Sequence, residues 1–316
     1  MPTDKKCYAV KHKDGEVRAA SRSGGIFTAL SDLILEENGV VYGCVLSEDF
    51  TIAEHIRATT KEERNRMRGS KYIPSDVHDC YKKCGEDLSN GKSVLFSGTP
   101  CQIEALNCYL EVKKIDTSKL LRLDVLCHTV ASPLLWNRFL EWRADGKHID
   151  SADFRDKGRF GWAHHEETVV VDGKAYSSRI FASLFGKNLA SPACCGYCRF
   201  KSTERPSDIT LGDYWSIDNL DRSFNDNMGV SLVLVSTEKG AEYFEKCRDS
   251  IEAKQFDLFD SMQPAFEKSV RIPDNQNEFF SDLSDGSFDE IIKKYINTRE
   301  KLYIRIGRFF KKLLKR

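Results

Sequence analysis

No apolar run in the 316 residues approaches the roughly 18 needed to cross a bilayer. The opening stretch, MPTDKKCYAVKHKDGE, lacks the apolar core of a secretion signal, which places the chain in the cytoplasm. There is no Walker phosphate loop and no G-x-G-x-x-G, so Rossmann-type dinucleotide binding has no support. Internal repeats and low-complexity segments are absent as well. Net charge is missing too, with 48 basic and 48 acidic side chains, but the balance hides two unlike parts. Residues 299–316 carry 8 basic and 1 acidic side chains, leaving 40 and 47 for the remainder. A mildly acidic body gives no basic face for nucleic acid, and no nucleic-acid partner is expected.

What the sequence does have is cysteine. Eleven in a chain without a secretion signal do not suggest a disulfide framework, and metal or redox use explains some of them better. Strand-like runs at Val40 to Leu46, Ser93 to Phe96, Leu121 to Leu126, Ile209 to Leu211 and Val230 to Val235 alternate with helical stretches. Phe27, Leu30, Leu33 and Ile34 share a helix face that Gly39 could end. Asp76 to Leu88 reads as a polar helix with Ser75 as N-cap. Pro100 and the Ser132-Pro133 pair each open another helix. The alternation predicts an α/β fold with a mixed, largely parallel sheet flanked by helices. Asp172-Gly173 marks a hairpin and hence an antiparallel insertion near 166–178. Beyond about residue 255 the strand signal fades into a helical C-terminal region. The expected division is 1–92 and 93–255 as two parts of the α/β unit, then 256–316 as a helical extension.

Two segments share one design. SVLFSGTPCQ leads from a strand into a helix with Cys101 in its first turn, and LDVLCHTVASP leads from a strand to Cys127. Both thiols then sit at carboxyl ends of strands, the edge where open α/β sheets bind ligands. Near a helix N-terminus a thiolate is stabilised, and soft metals require thiolates. Cys195-Gly-Tyr-Cys198 adds a C-x-x-C pair. The four thiols suffice for a 4Fe–4S cluster or for a structural zinc, and spacing does not choose between them. Packing is the ordinary role of a lone cysteine, and Cys101 and Cys127 stand at even odds on spacing alone. Cys7, Cys44, Cys80, Cys84, Cys108 and Cys247 have no such context, while Cys194 is a substitute ligand.

Ser21-Arg-Ser-Gly-Gly25 precedes the first clear helix, where backbone N–H groups could cradle an anion. Gly69-Ser70-Lys71-Tyr72 adds a cation and an aromatic ring. Ordinary turns account for both segments equally simply. His128, beside Cys127, is a candidate proton donor, although a solvent-facing histidine is the commoner case.

In order, SRSGGIFTAL, VVYGCVL, RGSKYIPS, VLFSGTPCQ, DVLCHTVASP, FRDKGRFGW, CCGYCRFKSTERPSDITLGDYW and MGVSLVLVST resemble the family of coenzyme F-420 hydrogenase/dehydrogenase beta subunits, which are iron–sulfur flavoproteins. The match covers roughly residues 16–240. The resemblance implies an oxidoreductase with FAD on a non-Rossmann α/β fold and a 4Fe–4S cluster nearby. By position, Cys101, Cys127, Cys195 and Cys198 match the family's cysteine motifs. Ser23, Gly24 and Gly25, then Gly69 to Tyr72, then Ser97, Gly98 and Thr99 match its flavin-side loops, with Lys71 or Arg22 favouring an anionic reduced flavin.

A cluster passes single electrons and a flavin can transfer a hydride, so such a chain joins a one-electron carrier to a two-electron substrate. Only Cys7 precedes the first motif, so no ferredoxin-like domain is expected there and an external donor such as ferredoxin is implied. The family's C-H-G-V-P-S-P reads Cys127-His-Thr-Val-Ala-Ser-Pro133 here, and its D-F-W-G reads Asp213-Tyr-Trp-Ser216. These departures imply altered substrate access and weaken the case for F-420 as the substrate. They also motivate an alternative, a non-catalytic accessory protein of surface-polysaccharide biosynthesis that keeps the fold and a structural metal. Leu302, Ile306, Phe309, Phe310 and Leu313 follow helical spacing among basic residues. That tail is expected on the inner face of a membrane or on the acidic body itself. The sequence sets no oligomeric state.

Overall fold

The computed structural model describes residues 5–296. The basic amphipathic segment from Arg299 lies outside the described residues.

Twelve strands are described. Nine form one sheet: β1 (Lys6–His12), β2 (Val40–Leu46), β3 (Ala53–Ala58), β4 (Ser75–Asp76), β5 (Val94–Gly98), β6 (Leu120–Val125), β10 (Ile209–Asp213), β11 (Ser231–Val235) and β12 (Ile251–Phe256). Their spatial order is β12-β1-β11-β10-β6-β5-β2-β3-β4. The central four, β10, β6, β5 and β2, run parallel, while β1, β11 and β12 on one side and β3 on the other add antiparallel pairings. This is the mixed α/β sheet expected.

Both faces of the parallel centre are covered, which is why its strands read as near-continuous apolar runs. On one face Val41, Leu95, Leu121 and Leu123 meet α1 (Ile26–Glu36) through Ile26, Leu30 and Ile34. On the other, Val40, Val94, Phe96 and Leu120 meet α2 (Cys80–Ser89) and α3 (Pro100–Val112) through Leu88, Ile103, Leu106 and Leu110. The alternation along each strand divides the two cores. Asn38, not Gly39, takes the left-handed conformation after α1, and the Gly39 N–H closes the end on Ile34 O at 2.8 Å. Gly39 has a steric reason of its own: a Cβ there would stand 2.5 Å from Ser93 O. The helix expected from Asp76 begins at Cys80 instead, because Ser75 and Asp76 pair with Ala53 and Glu54 as an edge strand.

The insertion forms a second sheet, β7 (Ile149–Asp153), β8 (Glu167–Val171) and β9 (Lys174–Ser178). Asp172 and Gly173, at φ 46° and 75°, make the expected hairpin turn. This sheet packs on α4 (Pro133–Ala144), which Ser132 caps, and α4 in turn meets two C-terminal helices, α6 (Gln276–Asp285) and α7 (Phe288–Tyr295). Between β11 and β12 lies α5 (Glu238–Lys246).

Trp136 is the keystone of this smaller core. It is fully buried, stacks on Phe154 with ring centroids 3.9 Å apart, meets Phe181 edge-on, and donates Nε1–H to Phe50 O at 2.7 Å. Trp136→Ala is expected to lower unfolding stability by about 3–5 kcal/mol, read from urea denaturation.

Candidate functional site

Strand register brings the motif-bearing loops to one edge. Gly98 lies opposite Asp124, and Asp124 opposite Thr210. Asp213 lies opposite Ser231, and Ser231 opposite Val10. The carboxyl ends of β5, β6, β10 and β1 therefore share an edge, and the loops leaving them carry Cys101, Cys127, Asp213 and the Ser23–Gly25 turn.

The cysteines come from three loops. Cys101 is exposed in the first turn of α3, and Cys127 follows β6. Burial pushes the Cys127 thiol up to about 12; Lys201 opposes this, while Cys101, Cys195 and Cys198 add to it. The other three proposed ligands thus lie within electrostatic reach of Cys127. Cys194 is also close, its thiol raised by desolvation and by Cys195 and Cys101. Among the described residues no three His, Cys, Asp or Glu side chains are drawn together tightly enough to grip a single metal ion.

Two cations stitch the C-x-x-C loop to β6. The Lys201 ammonium donates to the carbonyls of Cys127 and His128. Arg205 is paired with fully buried Asp124 at 3.0 Å and also donates to Val125 O and Phe200 O. His128 is exposed yet crowded by protein, as expected of a side chain lining a cleft; desolvation, with Lys201 next in weight, lowers its pKa.

Beside the cysteines, Arg155 is buried and gathers four segments. Its guanidinium donates to Asp213 Oδ2 at 2.7 Å, to Tyr72 Oη at 3.3 Å and to Trp162 O at 3.1 Å. Trp162 Nε1–H donates to the other Asp213 oxygen at 2.8 Å. Arg22 donates to Arg155 O at 2.7 Å and to Trp162 O. Trp215 stacks on Trp162 at 5.1 Å under the Arg155 guanidinium, with His165 against its ring. Desolvation, aided by Arg155 and Arg22, lowers His165 to about 4.

The flavin-side segments divide. Ser23, Gly24 and Gly25 enter this edge: Ser23 Oγ donates to Val230 O at 2.8 Å and Gly24 N–H to Ser231 Oγ at 2.9 Å. Gly24 is required by packing, since a Cβ would stand 2.0 Å from Val10 O, and Gly25 at φ 91° heads α1 with no side-chain cap. Gly69 takes φ 84° with open space around it. Ser70 is half-buried beside it. Lys71 does not reach into the cleft, because its ammonium is held by the carbonyls of Arg66, Met67, Arg68 and Gly69. Tyr72 joins both neighbours, through Arg155 and through its carbonyl, which accepts Ala131 N–H at 2.7 Å. Ser97, Gly98 and Thr99 lie on the cysteine side, where Thr99 Oγ1 is 3.1 Å from Cys101 Sγ.

Sequence reasoning named none of Arg155, Trp162, Lys201 and Arg205, and met Trp215 only as part of the Asp213-Tyr-Trp-Ser216 motif, although each sits inside one of the family-like segments. The available signal was the density of Arg, Lys and Trp in FRDKGRFGW and CRFKSTERPSDITLGDYW, which exceeds what turns need.

Fold and site together define an α/β protein whose cysteine-bearing loops and a cluster of cations and aromatic rings share the carboxyl edge of its sheet. Residues 7–82 match the N-terminal part, and residues 91–258 the C-terminal part, of the family described as coenzyme F420 hydrogenase/dehydrogenase, beta subunit. The chain belongs to this family of coenzyme F420 hydrogenase/dehydrogenase beta subunits. It is 24% identical over 257 residues to the F subunit of F(420)H(2) dehydrogenase from Methanosarcina mazei, an alignment covering 78% of this chain and 64% of that relative. The chain thus spans less than two thirds of the relative's length. A chain of the F420-reducing [NiFe] hydrogenase complex from Methanosarcina barkeri shares the fold with a TM-score of 0.56 and 19% identity, over 78% of this chain and 81% of that one.

Two outcomes are expected. Asp124→Ala leaves the Arg205 charge buried without its partner, which should cost about 3–5 kcal/mol and speed hydrogen exchange across residues 198–210. His55 is buried, and desolvation holds its imidazole down at about 4. The neutral form is therefore favoured by folding, so stability is full above about pH 6.5 and falls as pH drops from 6.5 toward 4. Urea titrations at pH 7 and pH 4.5 should show a loss of about 2–3 kcal/mol from this group, and His55→Gln should remove that part.

Proposed function

We infer that this chain is an oxidoreductase of the beta-subunit type, holding a 4Fe–4S cluster on Cys101, Cys127, Cys195 and Cys198 and FAD in the cleft beside them. The observation that carries the reading is the convergence of thiols from three loops, with Cys101, Cys195 and Cys198 all acting on the buried Cys127 thiol. Four thiolates are the donor set a 4Fe–4S cluster takes, and the family resemblance favours it over zinc.

Charge supports both cofactors. Arg22, Lys157 and Lys201 all donate to backbone carbonyls, and among the described residues none of them is in an ion pair with a carboxylate. Their formal charges stay available to anionic groups. The Nε of Arg22 is buried without a partner, and the uncapped N-terminus of α1 lies alongside, a donor set suited to a pyrophosphate. Bound flavin would supply two-electron chemistry, and a cluster would supply single electrons.

The chain's own residues set the conditions. Arg155 and Asp213 fix the cleft wall, and Trp162 with Trp215 gives it an apolar, planar face. His128 is the side chain placed to hold or release a proton beside Cys127; desolvation, with Lys201 next, lowers its pKa. The partner is an external one-electron carrier such as ferredoxin, meeting the exposed loop that carries Cys194 and Tyr197. The place of work is the cytoplasm; no helix among the described residues is long and apolar enough to cross a membrane.

Protein purified without oxygen should contain iron and acid-labile sulfide, with flavin bands over a broad cluster absorption. Cys195→Ala should remove most of the iron. Colourless protein with one zinc per chain would overturn the reading.

A further inference from the structure

A string of hydrogen bonds crosses from β3 to Cys101, and each donor in it follows from the one before. The carbonyl of Ser97 can only accept, so His55 Nε2, 3.0 Å away, carries the proton. The buried ring is neutral, which leaves Nδ1 to accept from the Ser75 hydroxyl at 3.1 Å. Ser75 Oγ in turn accepts from Gln102 Nε2 at 2.9 Å, and the Ser75 carbonyl accepts from the same amide at 3.3 Å. Gln102 is thereby locked with Oε1 toward Thr99, where it accepts the backbone N–H and the hydroxyl, each at 3.0 Å. The Thr99 hydroxyl also stands 3.1 Å from Cys101 Sγ.

The Thr99 proton therefore has two acceptors within reach, an amide oxygen and a sulfur. While Cys101 keeps its own proton, the S–H can donate to Thr99 Oγ1 and Thr99 to Gln102. A metal-bound Cys101 has no proton to give, and Thr99 is then the donor on that side. We propose that Thr99 is a positioning residue that turns its hydroxyl from Gln102 to the Cys101 sulfur when that sulfur is a cluster ligand, favouring the reduced cluster. This rests on the cluster reading above. One electron enters from the external one-electron donor, no covalent bond forms or breaks, and the Thr99 proton stays on its oxygen. Added negative charge makes the sulfur the better acceptor, so the bond strengthens on reduction. Gln102, held by Ser75 and His55, is the competing acceptor that weakens it.

The test is the cluster's midpoint potential, taken on the anaerobic full-length chain by redox titration followed in the visible and by electron paramagnetic resonance. Iron and sulfide are measured first. Thr99→Val keeps the shape and removes the hydroxyl; at a fixed potential it should cut the reduced-to-oxidised ratio about tenfold, a fall of 59 mV for a one-electron couple. Thr99→Ser should retain the wild-type potential. Gln102→Leu removes the competitor and should move the potential up. Opposite signs for Thr99→Val and Gln102→Leu support the proposal. A loaded Thr99→Val at the wild-type potential overturns it, and if that variant fails to load, a Gln102→Leu potential at or below wild type does so. Wild-type protein without iron and sulfide overturns the cluster reading itself, and this inference with it.

Discussion

The buried pair between Arg155 and Asp213 is the constraint on which the rest of the site depends. Asp213 ends β10, and Arg155 follows the first strand of the small sheet. One guanidinium thus fastens the insertion to the main sheet, and its remaining donors and its own carbonyl collect Tyr72, Trp162 and Arg22. A charge this deep is costly unless every donor finds an acceptor. Both Asp213 oxygens are engaged, one by Arg155 and the other by Trp162, so the pair meets that condition. The arrangement at this edge is consequently a property of two sheets held together, not of a single loop.

The parallel centre was legible because burial on both faces writes itself into the sequence as apolar runs such as VVYGCVL and VLFSG. The flanks were not. KCYAVKH, AEHIRA and IEAKQF are strands in the structure, but they lie toward the sheet's margins and mix charged residues with apolar ones. Their pairing is imposed by neighbours, which a local reading cannot see. The hairpin at Asp172-Gly173 was readable for the opposite reason, since its left-handed backbone requires those residue types locally.

The site shows the same split. A thiol at the end of a strand is recognisable by its neighbours in sequence, so the cysteine loops stood out. Glycine is harder, because one letter serves different needs. Gly24 is there so that the Ser23–Gly25 turn can lie against β1 and β11, whereas Gly69 holds a left-handed turn in open space. Lys71 illustrates the converse error. A lysine in a glycine-rich turn looks like an anion-binding cation, yet here the turn folds back and its own carbonyls enclose the ammonium. Long side chains such as Arg155 and Arg205 were missed because their role is set by partners 58 and 81 residues away.

The cations of this molecule are satisfied in two ways. Some sit against carboxylates, as half-buried Arg57 does on Asp87, buried Arg64 on Asp32 and half-buried Arg122 on Asp208, and the charges cancel in place. At the carboxyl edge Arg22, Lys157 and Lys201 meet carbonyl oxygens instead. A carbonyl satisfies a donor without neutralising it. Burial of a cation with dipoles alone is unfavourable, and desolvation depresses the pKa of both Arg22 and Lys157. A fold that keeps such charges at one edge, while its body is acidic overall, gains from them only when an anion arrives. Under the proposed function, four thiolates and a phosphorylated cofactor would be such anions, and each would relieve the cost of burying these cations among dipoles.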